Sequence, residues 1–320
     1  MNKKPIKNIG IFIIVAVASG WLGLLIDKSL EQQTDGDSLG MGVWLILPLL
    51  TTIILRLFAG DGWKDIGLKL NFKGNVKWYI ISLLIFPVVT ISILAIGKLS
   101  GWINFSNFRI TAYLMGFTST LIVNFIKNIF EESVWRGYLA AKLLKLKTKD
   151  VWLYLIVGGV WGIWHLPYYL FFLPRSDMYQ VLPVDRAVFA IIAVFTMICW
   201  SVMFVELYRI TKSIWPVVIL HMIEDSLINH LIIDGHITIA SGKEILISPI
   251  TGIITSIFYL IVGLLLRRNR IINENNITII NANRKSSRLP RQPWLTGRAS
   301  HTTVRTVHVY SGSLRNGAIF

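Results

Sequence analysis

Residues 130–139 read Phe-Glu-Glu-Ser-Val-Trp-Arg-Gly-Tyr-Leu, and the fold turns on how this stretch is taken. Glu131, Glu132 and Arg136 interrupt a segment that is otherwise largely apolar from Ala112 to Leu143. If that segment crosses a membrane, an ionisable side chain near the bilayer centre costs roughly 2.5–3.5 kcal/mol on insertion scales, so adjacent carboxylates there require partners or a task.

Composition decides the environment. Hydrophobic residues make up 54% of the chain and charged residues 15%, with a mean hydropathy of +0.60. That balance excludes an ordinary soluble domain and fits a polytopic membrane protein. Apolar runs lie near Ile9–Ile26, Val43–Phe58, Trp78–Ile96, Ala112–Leu143, Val151–Phe172, Ala187–Tyr208, Ile214–Ile233 and Ile245–Leu266. The expected fold is therefore all-α, a bundle of about eight transmembrane helices. Lys3, Lys4 and Lys7 precede the first run as they would a signal peptide, but no small-x-small site leads into a soluble domain, so the run reads as a retained helix. The single Cys199 excludes an intramolecular disulfide and a multi-cysteine metal site.

Basic residues alternate between the connections. Arg56, Lys64, Lys69, Lys73 and Lys77 surround the second connection, Lys142, Lys145, Lys147 and Lys149 fill the fourth, and Arg209 and Lys212 lie in the sixth. The positive-inside rule then puts both termini in the cytoplasm, in a bacterial plasma membrane to judge from the richness in Ile, Lys and Asn. From Arg267 onward ten Lys and Arg face one acid, Glu274, and hold nine of the formal +15 charges. The expected division is a membrane domain over 1–270 and a basic, disordered cytoplasmic tail over 271–320. Such a tail is attracted to anionic lipid at about 1 kcal/mol per residue. No aromatic-interleaved basic fold suggests a nucleic-acid partner.

Two later runs carry proton-handling groups. Residues 161–167, Trp-Gly-Ile-Trp-His-Leu-Pro, bring His165, and residues 221–225, His-Met-Ile-Glu-Asp, bring His221 and Asp225. At about 1.5 Å of rise per residue, Glu131, His165, His221 and Asp225 lie roughly 16, 20, 9 and 15 Å from the cytoplasmic ends of their helices, depths at which one cavity can gather them. Spacing of four puts Glu132 with Arg136, Trp161 with His165, and His221 with Asp225 on common faces, whereas Glu131 is turned by about 100° from Glu132. Glu132 and Arg136 are thus expected to form a structural ion pair, which leaves Glu131 for chemistry. A carboxylate in a low-dielectric cavity can take a proton from water and return it to a leaving amine, with a histidine beside it to orient the water. A second histidine with a hydrogen-bonding side chain one turn on can stabilise an oxyanion.

Taken in order, Glu131-Glu132-x-x-x-Arg136, Trp161-x-x-x-His165 and His221-x-x-x-Asp225 resemble the motifs of the CAAX-processing and bacteriocin-processing (CPBP, or Abi) intramembrane protease family. The match covers about Ala112–Ile233. The resemblance implies a helical membrane fold and peptide-bond hydrolysis, with Glu131 and His165 activating water and His221 and Asp225 forming the oxyanion site. Its substrate would be a peptide or a membrane-anchored protein. Asp225 stands where the family often has Asn, and an ionised carboxylate there would repel an oxyanion unless it were protonated, held His221 as imidazolium, or ligated a metal. Two histidines and a carboxylate, His165, His221 and Asp225, are a possible zinc set, while the glutamate mechanism needs no cofactor and is the preferred reading.

Plainer readings stand beside these. Glu131 could serve only as the partner of Lys127, four residues earlier, and Glu224 as a polar contact to a neighbouring helix. His230 and His236 read as surface residues and Glu206 with Arg209 as an interfacial pair. A protein of the same fold could also act without catalysis, as a bacteriocin-immunity or signalling scaffold, or relay protons as a transporter.

Overall fold

The computed structural model describes residues 4–30 and 38–287. Its long helices are α1 (Lys4–Ser29), α2 (Leu39–Leu57), α3 (Val76–Leu99), α4 (Ile110–Lys145), α5 (Asp150–Phe172), α7 (Arg186–Thr211), α8 (Trp215–Ile233) and α10 (Ile253–Ser287), with short helices α6 (Arg175–Val181) and α9 (Glu244–Ile247) between them. The fold is all-α. Strand structure among the described residues is one antiparallel pair of two-residue segments, in which Ile103 faces Ile239 and Asn104 faces Thr238.

Among the described residues seven helices, α1 to α5, α7 and α8, are long and apolar enough to cross a membrane. The eighth expected run, Ile245–Leu266, is broken instead. Pro249 and Gly252 separate α9 from α10, and the apolar part of α10 ends at Leu266 before Arg267, Arg268 and Arg270. Helix α10 crosses the expected boundary at 270 and continues to Ser287. No Gly or Pro occurs between Gly263 and that point, so nothing in the chain forces the helix to stop. Residues 288–320, the rest of the expected tail, lie outside the described residues. Chain contacts define a bundle, Met1–Glu274, and a C-terminal part from Asn275 that is helical as far as Ser287.

Within the bundle α1 packs on α2, α4 on α8, α5 on α7, and α3 on α8. Residues Trp135–Ala140 of α4 form a π-helical stretch one turn after Glu131 and Glu132. Such wide turns occur often at functional sites because they re-aim the side chains beside them. This one is clamped from outside. Buried Arg56 donates to the carbonyl of Gly137 at 2.5 Å and to Asp65 at 2.7 Å, and Lys142 donates to Asp65 at 2.9 Å. Tyr138 Oη donates to Asp61 at 2.7 Å. The loop between α2 and α3 is thereby tied to the half of α4 that follows the carboxylates. Glu206 and Arg209, expected as an interfacial pair, meet at 2.8 Å, and Glu206 also accepts from Tyr154 and Arg270.

Candidate active site

Helix α4 carries Asn124, Lys127, Asn128 and Glu131 at spacings of three and four, so one face of a largely apolar helix is polar over two turns. That face meets α8. Asn124 Nδ2 donates to Ser226 Oγ at 2.8 Å, and Asn128 Nδ2 donates to Asp225 Oδ2 at 2.7 Å. Lys127 Nζ lies 2.8 Å from Asp225 Oδ2 and 3.7 Å from Glu131 Oε1. The sequence suggested only the second of these contacts. The first answers the difficulty posed by an aspartate at position 225, because an ammonium compensates its charge.

Glu132 and Arg136 form the expected pair at 2.8 Å, fully buried. The Arg136 guanidinium lies between the rings of Trp161, 4.1 Å from its centroid, and Phe204, 4.2 Å away. The pair does more than offset charge. The oxygen of Glu132 that accepts from Arg136 also lies 2.8 Å from His221 Nδ1. A carboxylate oxygen accepts, so Nδ1 of His221 carries a hydrogen and Nε2 is turned away from Glu132, 4.0 Å from Asp225 Oδ2. His221 is fixed further by edge contacts to Trp161 and Phe204, each with centroids 5.5 Å apart.

His165 ends the α-helical part of α5. Its Nδ1 is 2.9 Å from the carbonyl oxygen of Trp161, which can only accept, so Nδ1 is the protonated nitrogen and Nε2 has a free lone pair in the neutral ring. The ring is seated edge-on against Trp164, with centroids 4.6 Å apart, and stacks on Tyr169 at 5.5 Å.

Lys127, Glu131, His165, His221, Glu224 and Asp225 line one cavity of about 270 Å³, together with Asn124, Tyr168, Tyr169 and apolar residues of α2 and α7. Glu131 Oε2 is buried with no hydrogen-bond partner among the described residues. A space of this size holds a short length of extended peptide and a water, each water occupying about 30 Å³ in the liquid. Glu224, expected to turn away to a neighbouring helix, lies on the cavity instead, and its carboxylate with those of Asp225 and the ring of His221 forms a cluster whose donor atoms are within 4.8 Å of one another. His165 is not part of that cluster, so the donors that come together differ from the set His165, His221 and Asp225. Two other expectations change. His236 is buried, packed against Phe108 and Tyr113, and His230 is half-buried, between Asp234 at 2.6 Å and Thr120 at 3.2 Å.

Lys127 bound to Asp225, Asn128, and Glu132 holding His221 are the groups that reading the motifs one by one did not assign. The repeat of polar residues at 124, 127, 128 and 131 is the signal that marks the first two. No curated protein matches the chain. Residues 113–227 match the family model for type II CAAX prenyl endopeptidase Rce1-like proteins. The matched segment runs from near the start of α4 into α8, and so holds every ionisable group of the cavity, Asp177 of α6 included, while Asn229 of α8 lies just beyond it. With seven helices long and apolar enough to cross a bilayer the chain is an integral membrane protein, and its residues 113–227 match the CAAX-type, CPBP family of intramembrane proteases.

Proposed function

We propose that this protein is an intramembrane endopeptidase that hydrolyses a peptide bond by a glutamate mechanism. The observation that carries the reading is the convergence of Glu131 from α4, His165 from α5, and His221 and Asp225 from α8 on one cavity. Glu131 Oε2, unpaired and buried, and the free Nε2 of His165 are both acceptors. A water between them is held by its two hydrogens and offers an oxygen lone pair to a substrate carbonyl. As that oxygen bonds to the carbonyl carbon, one proton passes to Glu131 and the carbonyl oxygen becomes an oxyanion. His221 donates to it from Nε2 as the imidazolium, flanked by Glu132 and Asp225. When the carbon–nitrogen bond breaks, Glu131 returns the proton to the leaving amine. One oxyanion donor is worth about 10²–10³ in rate in enzymes where it has been removed.

The donor set argues against a resident zinc. Asp225 Oδ2 already receives Lys127 Nζ and Asn128 Nδ2, and a divalent cation on that oxygen would lie against an ammonium. The substrate is a peptide or membrane-anchored protein, reached from the cytoplasmic side. Comparing membrane peptides from native-host cells carrying wild-type protein or Glu131→Gln at equal abundance tests the reading. Peptides that appear only with wild type support it and name the substrate. Identical profiles with any host phenotype retained would favour a non-catalytic immunity or scaffold role.

A further inference from the structure

We propose that Lys127 is a catalytic residue that donates to the oxyanion from an ammonium held in place by Asp225, so that the two side chains together do what one neutral amide would do. The inference rests on the endopeptidase reading. It starts from a conflict inside the site. His221 and Asp225 share a face of α8, and an ionised Asp225 directed at the same space as an oxyanion would oppose the charge that develops there.

The structure resolves the conflict with a cation from another helix. Lys127 Nζ lies 2.8 Å from Asp225 Oδ2 and lines the cavity, while Asn128 Nδ2 donates to the same carboxylate oxygen at 2.7 Å. An ammonium has three donors and no acceptor. One is spent on Asp225. Glu131 Oε1, at 3.7 Å, is beyond hydrogen-bond distance and biases the ammonium only electrostatically. At least one N–H is therefore left for the cavity, and the Asp225 oxygen that holds the ammonium is also 4.0 Å from His221 Nε2. Asp225 fixes the position of the ammonium, and the ammonium cancels the charge of Asp225. Lys127 also sits one turn from Glu131 on α4, so the group that removes the proton from water and the group that receives the oxyanion are carried on one rigid helix.

A purely structural ion pair predicts something different. There, removing either partner alone harms the protein, and the harm appears in folding. Here it appears in turnover, and a neutral pair restores it. The test compares wild type, Glu131→Gln, Lys127→Met, Lys127→Arg and the double variant Lys127→Met with Asp225→Asn. Rates are measured on the peptides that distinguish wild type from Glu131→Gln, and melting temperature in detergent serves as the control for folding. Lys127→Met is expected to lose about 10²–10³ in rate, Lys127→Arg to stay within about tenfold of wild type, and the double variant to recover at least about tenfold over Lys127→Met, because an Asn amide donates without a charge to cancel. Wild-type turnover by Lys127→Met, or a folded double variant with no recovery, overturns the proposal alone. Equal peptide profiles for wild type and Glu131→Gln overturn the endopeptidase reading and this proposal with it.

Discussion

His221 Nδ1 lies 2.8 Å from Glu132 Oε1, and the same oxygen lies 2.8 Å from Arg136. A pair that looks from its spacing like an ion pair within one helix is therefore a three-way junction between α4 and α8. Arg136 keeps Glu132 in place, and Glu132 sets the orientation of the His221 ring. The second of two adjacent carboxylates acts on the candidate site without facing the reacting space.

Glu132→Ala leaves Arg136 buried without its partner and His221 without its acceptor. Removing one member of a buried pair costs about 3–5 kcal/mol. A denaturant titration in mixed micelles should show a loss of that order, and Glu132→Gln, which keeps an acceptor oxygen, should lose less. Wild-type stability for Glu132→Ala would contradict the junction.

Trp161 occupies the position that precedes His165 by one helical turn, and its ring covers Arg136 at 4.1 Å. A desolvated cation–π contact is worth about 2 kcal/mol. Trp161→Leu should lose about that much stability, whereas Trp161→Phe, which keeps an aromatic face, should lose less than half of it. The two variants separate the ring's electrostatics from its bulk, and equal losses would remove the cation–π account.

Helices α1 and α2 touch through glycine. A Cβ on Gly23 would lie 2.2 Å from the carbonyl oxygen of Gly40, and a Cβ on Gly40 would lie 2.2 Å from that of Gly23. Ala is the better helix former by up to about 1 kcal/mol, so a loose contact would make either alanine variant more stable. Backbone atoms cannot move aside as a side chain can, and overpacking costs about 1–3 kcal/mol. Gly23→Ala and Gly40→Ala are each expected to lower the melting temperature.

Asp65, in the loop between α2 and α3, gives a pH dependence with a definite sign. Burial by itself would raise its carboxyl, but hydrogen bonds from Arg56, Lys145 and Lys142 outweigh burial and hold it well below the ordinary carboxylate range. A carboxylate whose folded pKa is depressed stabilises the protein fully above its unfolded value, about 3.9, and loses that contribution as pH falls through the folded value. The melting-temperature gap between wild type and Asp65→Asn should be constant from about pH 7 to about pH 5 and narrow as the pH is lowered further. A gap that persists unchanged to about pH 3 would show that Asp65 does not act through its charge.

Helical class and the limits of most spans were legible because both depend on local properties, the length of an apolar run and the period of 3.6 residues. The runs from Ile9 to Ile233 became α1 to α5, α7 and α8. The eighth was misjudged for a local reason as well: Pro249 and Gly252 outweigh apolarity as determinants of where a helix can begin. Helix α10 runs on past the basic cluster at Arg267, Arg268 and Arg270, because charge does not end a helix that has no breaker in it.

The sequence by itself determined the membrane environment, the helices, and the face on which each motif lies, since spacing along one helix sets direction around its axis. It showed that Glu131 and Glu132 must point apart and that His221 and Asp225 must point together. Only the tertiary structure decided which residue each of them meets. Lys127 is four residues from Glu131 but binds Asp225 more closely, and Glu132 reaches His221 as well as Arg136. Those partners depend on how α4 and α8 cross. That crossing is the outcome of packing among side chains far apart in the chain, and no property of either helix alone contains it.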